Sequence, residues 1–274
     1  MRKNKSRLTV KELYENLKAG VNDLITSGKF HEYLKFQARF HRYSFSNSML
    51  IFMQKPDATR VAGIKTWNSM GRRVKKGEKG IRIFAPLAVK VVNDDTGDEE
   101  WKIKGFKVVT VFDVAQTEGK PLPELARDLE GATVQGDRLY SLLKMASPVP
   151  IKFGQTGPAK GYYHPVKREI VLDAGQAGDD LTSTLLHEII HAIVEKEPPK
   201  DEADRERAEI IAEGATYVVA KYFDLDTSCF SFGYVSAWAK GDNEKLIKLG
   251  NDIQKAAAEL ISRVEDAQKK SKVA

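Results

Sequence analysis

The stretch Leu181-Thr-Ser-Thr-Leu-Leu-His187-Glu188-Ile-Ile-His191-Ala-Ile-Val-Glu195 constrains this chain of 274 residues more than any other. It reads as a helix, with Asp179 and Asp180 as N-cap side chains and Pro198-Pro199 closing the far end. Leu185, Leu186, Ile189, Ile190 and Ile193 make it apolar on nearly every side, so a core must form around it. His187 and His191 stand four residues apart and project from one face. Inside a core they need partners, because a buried polar group left unsatisfied costs about 2–7 kcal/mol. Two imidazoles converging on one ion would meet that need.

Glu188 lies beside the first histidine, where its carboxylate reaches a water at such an ion rather than the ion itself. This is the H-E-x-x-H arrangement of zinc peptidases. By chance the pattern occurs in roughly one chain in a hundred of this length, so a helix with two core histidines is the alternative, and a third ligand decides between them. A second core helix follows over residues 205–223, apolar at Ile210, Ile211, Tyr217, Val218 and Phe223. It carries Glu209 and Glu213 on one face, and two carboxylates on a core helix require a cation. The pattern resembles zincins, in which a Glu ligand on a following helix precedes a small residue at the third position and a polar one at the fourth. Here these are Glu209, Ala212 and Glu213. The resemblance makes Glu209 the third ligand and Glu213 a residue that orients one, with the reverse assignment open.

The chain is long enough for two domains, and 42% hydrophobic with 30% charged residues is the composition of a soluble globular protein. No apolar run approaches 18 residues, which excludes a membrane span. The basic start, Met1 to Arg7, leads into Lys11-Glu-Leu-Tyr rather than an apolar segment, so no signal peptide is expected. Cys229 is the only cysteine, so no disulfide forms and a cytoplasmic protein is expected.

Charge divides the chain. Residues 1–120 hold 24 Lys and Arg against 13 Asp and Glu, a net of +11, whereas the remainder holds 20 against 25, a net of −5. A basic half joined to an acidic one implies two tasks, one facing a polyanion. The basic half opens with helical text over 10–25, 30–43 and 46–54, the last with Ser46 or Asn47 as cap. Segments 58–62 and 64–70 lead up to Gly71. Strands are expected over 81–92, 101–104 and 107–112, with an acidic hairpin-like loop at 93–98. Between them, Gly71-Arg-Arg-Val-Lys-Lys-Gly77-Glu-Lys-Gly80 is a basic turn. It is not a phosphate P-loop, because its glycine spacing is one too long and Glu78-Lys79 stands where Lys-Ser/Thr is required. Arg72, Arg73, Lys75, Lys76, Lys79 and Arg82, with Trp67, Phe84 and Phe45 near in sequence, suit single-stranded nucleic acid: cations follow phosphates and rings stack on bases. The alternative is a solvated turn that keeps a hairpin soluble.

Residues 116–124 read as a linker and 137–146 as a helix. Short strands follow at 151–153 and within 161–173, the latter placed to line a substrate cleft beside the metal helix. His164 reads as a turn residue rather than a ligand. The tail over 240–272 is helical, with Leu246, Leu249, Ile253, Ala257 and Leu260 on one face.

Asn47-Ser-Met-Leu, Trp67, Gly71-x-x-Val-Lys-Lys-Gly-Glu-Lys-Gly80 and Phe112-Asp-Val-x-Gln116-x-Glu-Gly resemble the N-terminal domain of ArdC-type antirestriction proteins. His187-Glu-x-x-His191, Glu209-x-x-Ala-Glu213 and Tyr234-x-x-x-Trp238 resemble their C-terminal zincin domain. The resemblance implies a protein of mobile elements that protects incoming DNA. The expectation is therefore an α+β chain with a single-stranded DNA-binding domain over 1–122 and a mostly helical, metallopeptidase-like domain over 123–274. Zinc is held by His187, His191 and Glu209, Glu188 is the general base, and Tyr217 or Tyr234 stabilises the oxyanion of a protein substrate. Two other readings stand beside this one. In the first, the protein coats DNA and its zinc only staples two helices. In the second, it is a protease that cleaves one specific repressor.

Overall fold

The computed structural model describes residues 8–92, 99–122, 135–225 and 242–271. The acidic loop at 93–98, Cys229, Tyr234 and Trp238 lie outside the described residues. The chain forms two compact units, one of Met1–Ser27 with Ser46–Pro123 and the other of Gly28–Phe45 with Glu124–Ala274. In place of one cut after residue 122, the chain divides twice more near its start, and a helix from the first fifty residues joins the second unit.

In the first unit, a capping box starts α1 (Val10–Thr26): the Glu12 N–H donates to Thr9 Oγ1 at 3.2 Å and the Thr9 N–H to Glu12 Oε2 at 2.8 Å. Leu13, Leu17, Val21 and Leu24 form its buried stripe. Helix α3 (Phe45–Gln54) lies along the edge of β3 (Ile81–Val92). Asn47 is not a cap. Its amide donates to the Phe84 carbonyl at 2.9 Å and accepts the Phe84 N–H at 2.9 Å. Two turns on, Gln54 makes the same pair with Arg82, at 2.9 and 2.8 Å. These two amides satisfy strand-edge groups that would otherwise need another strand.

Strand β4 (Glu99–Asp113) pairs antiparallel with β3 on one side and with β1 (Val61–Ala62) on the other, giving the order β1-β4-β3. What the sequence suggested as two strands is one long one, kinked where the register passes from Leu87↔Gly105 to Ala88↔Ile103 and leaves Lys104 as the extra residue of a bulge. Beyond β4, the Asp113 carboxylate accepts the N–H groups of Thr59, Arg60 and Ala115 at 2.8–3.0 Å. The Gln116 side chain accepts the Asp113 N–H and donates to Glu78 and to the Lys79 carbonyl. Residues 116–119 are thus not linker. They include β5 (Thr117–Gly119), which pairs with β2 (Arg72–Val74) under the basic turn. Gly119 has φ +129°, and a Cβ there would run into the Gly71 carbonyl.

The second unit holds α2 (Phe30–Arg39), α5 (Gln135–Ala146), α6 (Gly178–Val194), α7 (Glu202–Tyr222) and α8 (Asn243–Ser271). Its sheet runs β6-β8-β7, with β6 (Ile151–Gly154) parallel and β7 (Gly161–His164) antiparallel to β8 (Glu169–Asp173). Helix α7 packs against α6, α8 and α2. Its Ile210, Ile211, Val218 and Val219 are buried, as are Leu249, Ile253 and Leu260 of α8. Gly250 lets α8 approach closely, since a Cβ there would overlap the Phe45 ring. Asp179 and Asp180 are not N-caps. Ala177 holds that position, and the two carboxylates lie in the first turn, where they face the positive end of the helix.

Candidate functional site

Helix α6 is buried through Leu185, Leu186, Ile189 and Ile190, so its one polar seam has little freedom. His187 and His191 turn their Nε2 atoms toward each other at 3.0 Å. From α7, Glu209 places Oε2 3.6 Å from His187 Nε2 and Oε1 3.5 Å from His191 Nε2. Among the described residues these three form a group whose ligand atoms all lie within 4.8 Å of one another. Tetrahedral zinc with bonds near 2.05 Å sets its ligand atoms about 3.3 Å apart, and the two Nε2 atoms, each with one Glu209 oxygen near it, lie close to that spacing. The donor set, two neutral imidazoles and one carboxylate, is also that of hydrolytic zinc sites.

Glu195, which the sequence reading did not single out, binds His191 Nδ1 one turn beyond the motif. A carboxylate there accepts the hydrogen bond of Nδ1–H and, in the neutral ring, leaves Nε2 with its lone pair toward the other two ligands. The i, i+4 spacing from His191 was the available signal. The Tyr163 hydroxyl donates to the Glu195 carbonyl at 3.3 Å, which ties β7 to the end of α6. Replacing Glu195 with Ala is expected to weaken metal binding 10- to 100-fold, while Gln, still an acceptor, retains most of it. Metal titration of the two variants reads the difference.

Glu188 is 8% exposed. Burial pushes its carboxyl above the ordinary range, while His191, His187 and hydrogen bonding from the Tyr163 backbone pull the other way. Glu213, half-buried one turn beyond Glu209, stands outside the three-ligand group, and its carboxyl is also raised by burial. Burial disfavours charge on His191, yet Glu195 and Glu209 outweigh it and hold its pKa up to about 10. The His187 and His191 rings hold Glu209 well below the usual carboxylate range.

These shifts fix the sign of two pH effects. His191 has a raised folded-state pKa, so without metal its stabilisation is complete below about pH 6.5 and is lost as pH rises toward about 10. Glu209 contributes the opposite way, its stabilisation disappearing in acid. An imidazole must be neutral to bind metal, so at neutral pH metal uptake is expected to release about one proton from His191. Affinity should rise close to tenfold per pH unit below that pKa. Calorimetry in buffers of different ionisation enthalpy counts the proton, and zero protons released would exclude this assignment.

Of the two tyrosines, Tyr217 is buried, and its hydroxyl is paired with His31 Nε2 of α2 at 2.9 Å. His31 is a partner that sequence distance concealed. His164 is the last residue of β7, paired with Glu169 just before the turn to β8, rather than a turn residue itself, and it stands outside the three-ligand group.

The basic-turn residues separate into two groups. Arg72 is committed to its own fold, with Nε donating to Thr117 Oγ1 at 2.8 Å and Nη2 to the Thr117 carbonyl at 3.1 Å. Lys75 donates to the Ala115 carbonyl at 2.9 Å, and Arg82 reaches Thr110. Arg73, Lys76 and Lys79 are exposed. Lys76 and Lys79 flank an open cavity of about 530 Å³ between the turn and the end of α3. Trp67 corrects an expectation: on α4 (Ile64–Ser69) it is fully buried, its indole N–H donating to the Phe112 carbonyl at 2.9 Å, and it presents no ring to a base.

Known proteins place this architecture. Residues 3–112 match the N-terminal domain of anti-restriction factor ArdC. An uncharacterized Bacillus anthracis protein, pXO2-81, is 26% identical over 255 residues; the match takes in 78% of this chain and 43% of that protein, so the chain spans under half of its length. Among solved structures, the Mn(II)-bound antirestriction protein ArdC of plasmid R388 aligns with TM-score 0.60 at 20% identity, over 92% of this chain and 97% of that one. Its metal-free form aligns with TM-score 0.52 at 22% identity, over 82% and 86%. No helix among the described residues is long and apolar enough to cross a membrane. Residues 3–112 thus match the ArdC N-terminal domain, and the chain shares the mixed α and β fold of the R388 ArdC structures.

Proposed function

We propose that this chain is an anti-restriction protein whose first unit binds single-stranded DNA and whose second unit holds zinc at a hydrolytic site acting on a protein. The convergence of His187, His191 and Glu209 beside the buried carboxylate of Glu188 carries the reading. The R388 protein, described as Mn(II)-bound, supports a divalent ion in this fold. For a nitrogen-rich set of this kind the stability order of divalent ions favours zinc over manganese.

Zinc at these ligands would supply a Lewis acid that polarises a carbonyl and acidifies water. The chain does the rest. Glu188, desolvated against α6 and β7, is poised to take a proton from water and return it to a leaving amine. Glu195 orients His191, and Glu213 lies close enough to His187 and Glu209 for their charges to act on it. A structural staple needs no buried base next to its ligands, which favours the hydrolytic reading over the stapled one. The test pairs metal analysis of the purified protein with gel shifts on single- and double-stranded DNA. One zinc per chain and preference for the single strand are expected, and absence of either removes that half of the reading.

A further inference from the structure

Strand residues alternate between faces, so by sequence parity Trp101 and Ile103 should oppose Phe106. The bulge at Lys104 reverses the parity. Pairing of Lys90 with Trp101, Ala88 with Ile103 and Pro86 with Phe106 sets all three side chains on one face of the β3–β4 ribbon, continuing to Phe84. They are 67%, 63% and 54% exposed, and Phe106 meets Phe84 edge-on with centroids 6.5 Å apart.

The geometry points to this face as the surface on which unpaired bases of single-stranded DNA stack, an inference that rests on the DNA-binding reading above. Cations bracket the rings. Arg82 lies at one end of the same face, and Lys90 at the other is 5.8 Å from the Trp101 ring centroid. Phe106 and Trp101 pair with β3 residues four apart, about 13 Å along the strand, which leaves room for successive bases on separate residues. Duplex DNA keeps its bases stacked on one another and offers such rings little. The ring face also explains where DNA affinity comes from when Trp67 is buried and Arg72 and Lys75 are bound to their own backbone.

The test uses the full chain and a fluorescein-labelled oligo-dT, read by anisotropy. Trp101→Ala with Phe106→Ala should weaken binding on the order of 10²-fold, whereas Trp101→Phe with Phe106→Tyr, which retains both rings, should stay within about threefold. Melting temperatures of both should match wild type, because the two rings are mostly exposed. Replacing Arg73, Lys76 and Lys79 by Ala should reduce the slope of affinity against salt, and the ring variants should not. If wild type binds oligo-dT and the double Ala variant binds equally well, the ring face is not the site and the DNA reading stands. If wild type binds no oligo-dT, both fall. If sedimentation shows a dimer that the double Ala variant dissolves while DNA binding is unchanged, the face joins two copies of the chain and the assignment is overturned.

Discussion

His191→Ala is expected to yield protein with no stoichiometric zinc and a melting temperature that no longer responds to chelator. His191 supplies one of three ligand atoms, and its imidazole is the one ring in the group with a carboxylate behind it. A folded protein in free zinc at about 10³ times its dissociation constant gains about 4 kcal/mol from the ion, and the variant forfeits that linkage. The second loss is internal: Glu195 and Glu209 each lose the ring that they face in the wild type. Chelator should therefore lower the wild-type melting temperature by several degrees and leave the variant unmoved. Equal chelator responses would show that any bound metal sits elsewhere. The ligand assignment has its own contrast: Glu209→Gln should weaken zinc more than Glu213→Gln, and the reverse result would exchange their roles.

Glu188→Gln separates chemistry from structure. The amide retains the size and hydrogen-bonding reach of the carboxylate but cannot take a proton at neutral pH. Proteolysis of a partner, or self-cleavage, should fall by at least ~10²-fold, the usual contribution of a positioned general base. Zinc content and DNA affinity should remain near wild type, because Glu188 is not among the three converging ligands. Removing a buried carboxyl whose pKa is raised by desolvation should not destabilise the fold at neutral pH. Protection of DNA in cells then discriminates between mechanisms. If it survives Glu188→Gln but fails when Arg73, Lys76 and Lys79 become Ala, coating of DNA is the protective activity. If it fails in Glu188→Gln while zinc and DNA binding persist, hydrolysis is.

The same residues show how far local pattern reaches. A single α-helix sets the spacing of His187, Glu188 and His191, so three positions of the candidate site were legible as text, because i, i+4 geometry does not depend on the rest of the fold. Glu195 obeys that rule as well and was there to be read. The bulk of the helices, and the pairing of β3 with β4, likewise follow from short-range periodicity. Long-range geometry decided the rest. Phe30, Tyr33, Leu34 and Phe36 sit early in the chain yet are buried in the second unit, where α2 packs on α7, so a cut after residue 122 would strip that unit of an apolar surface. Trp67, a stacking ring by neighbourhood in sequence, is a core residue because Phe112, 45 positions away, offers its carbonyl. Arg72 reads as a free cation until β5 folds back to receive it. On the ribbon, one extra residue at Lys104 exchanges the faces of every side chain beyond it, so composition alone could not place Trp101 beside Phe106. Sequence by itself determined that His187 and His191 share one face, since their spacing lies within one helix; the packing of α7 on α6 brought Glu209 to them. Tertiary structure decided which rings and cations remain available to a partner, since burial and strand register depend on residues far apart in the chain.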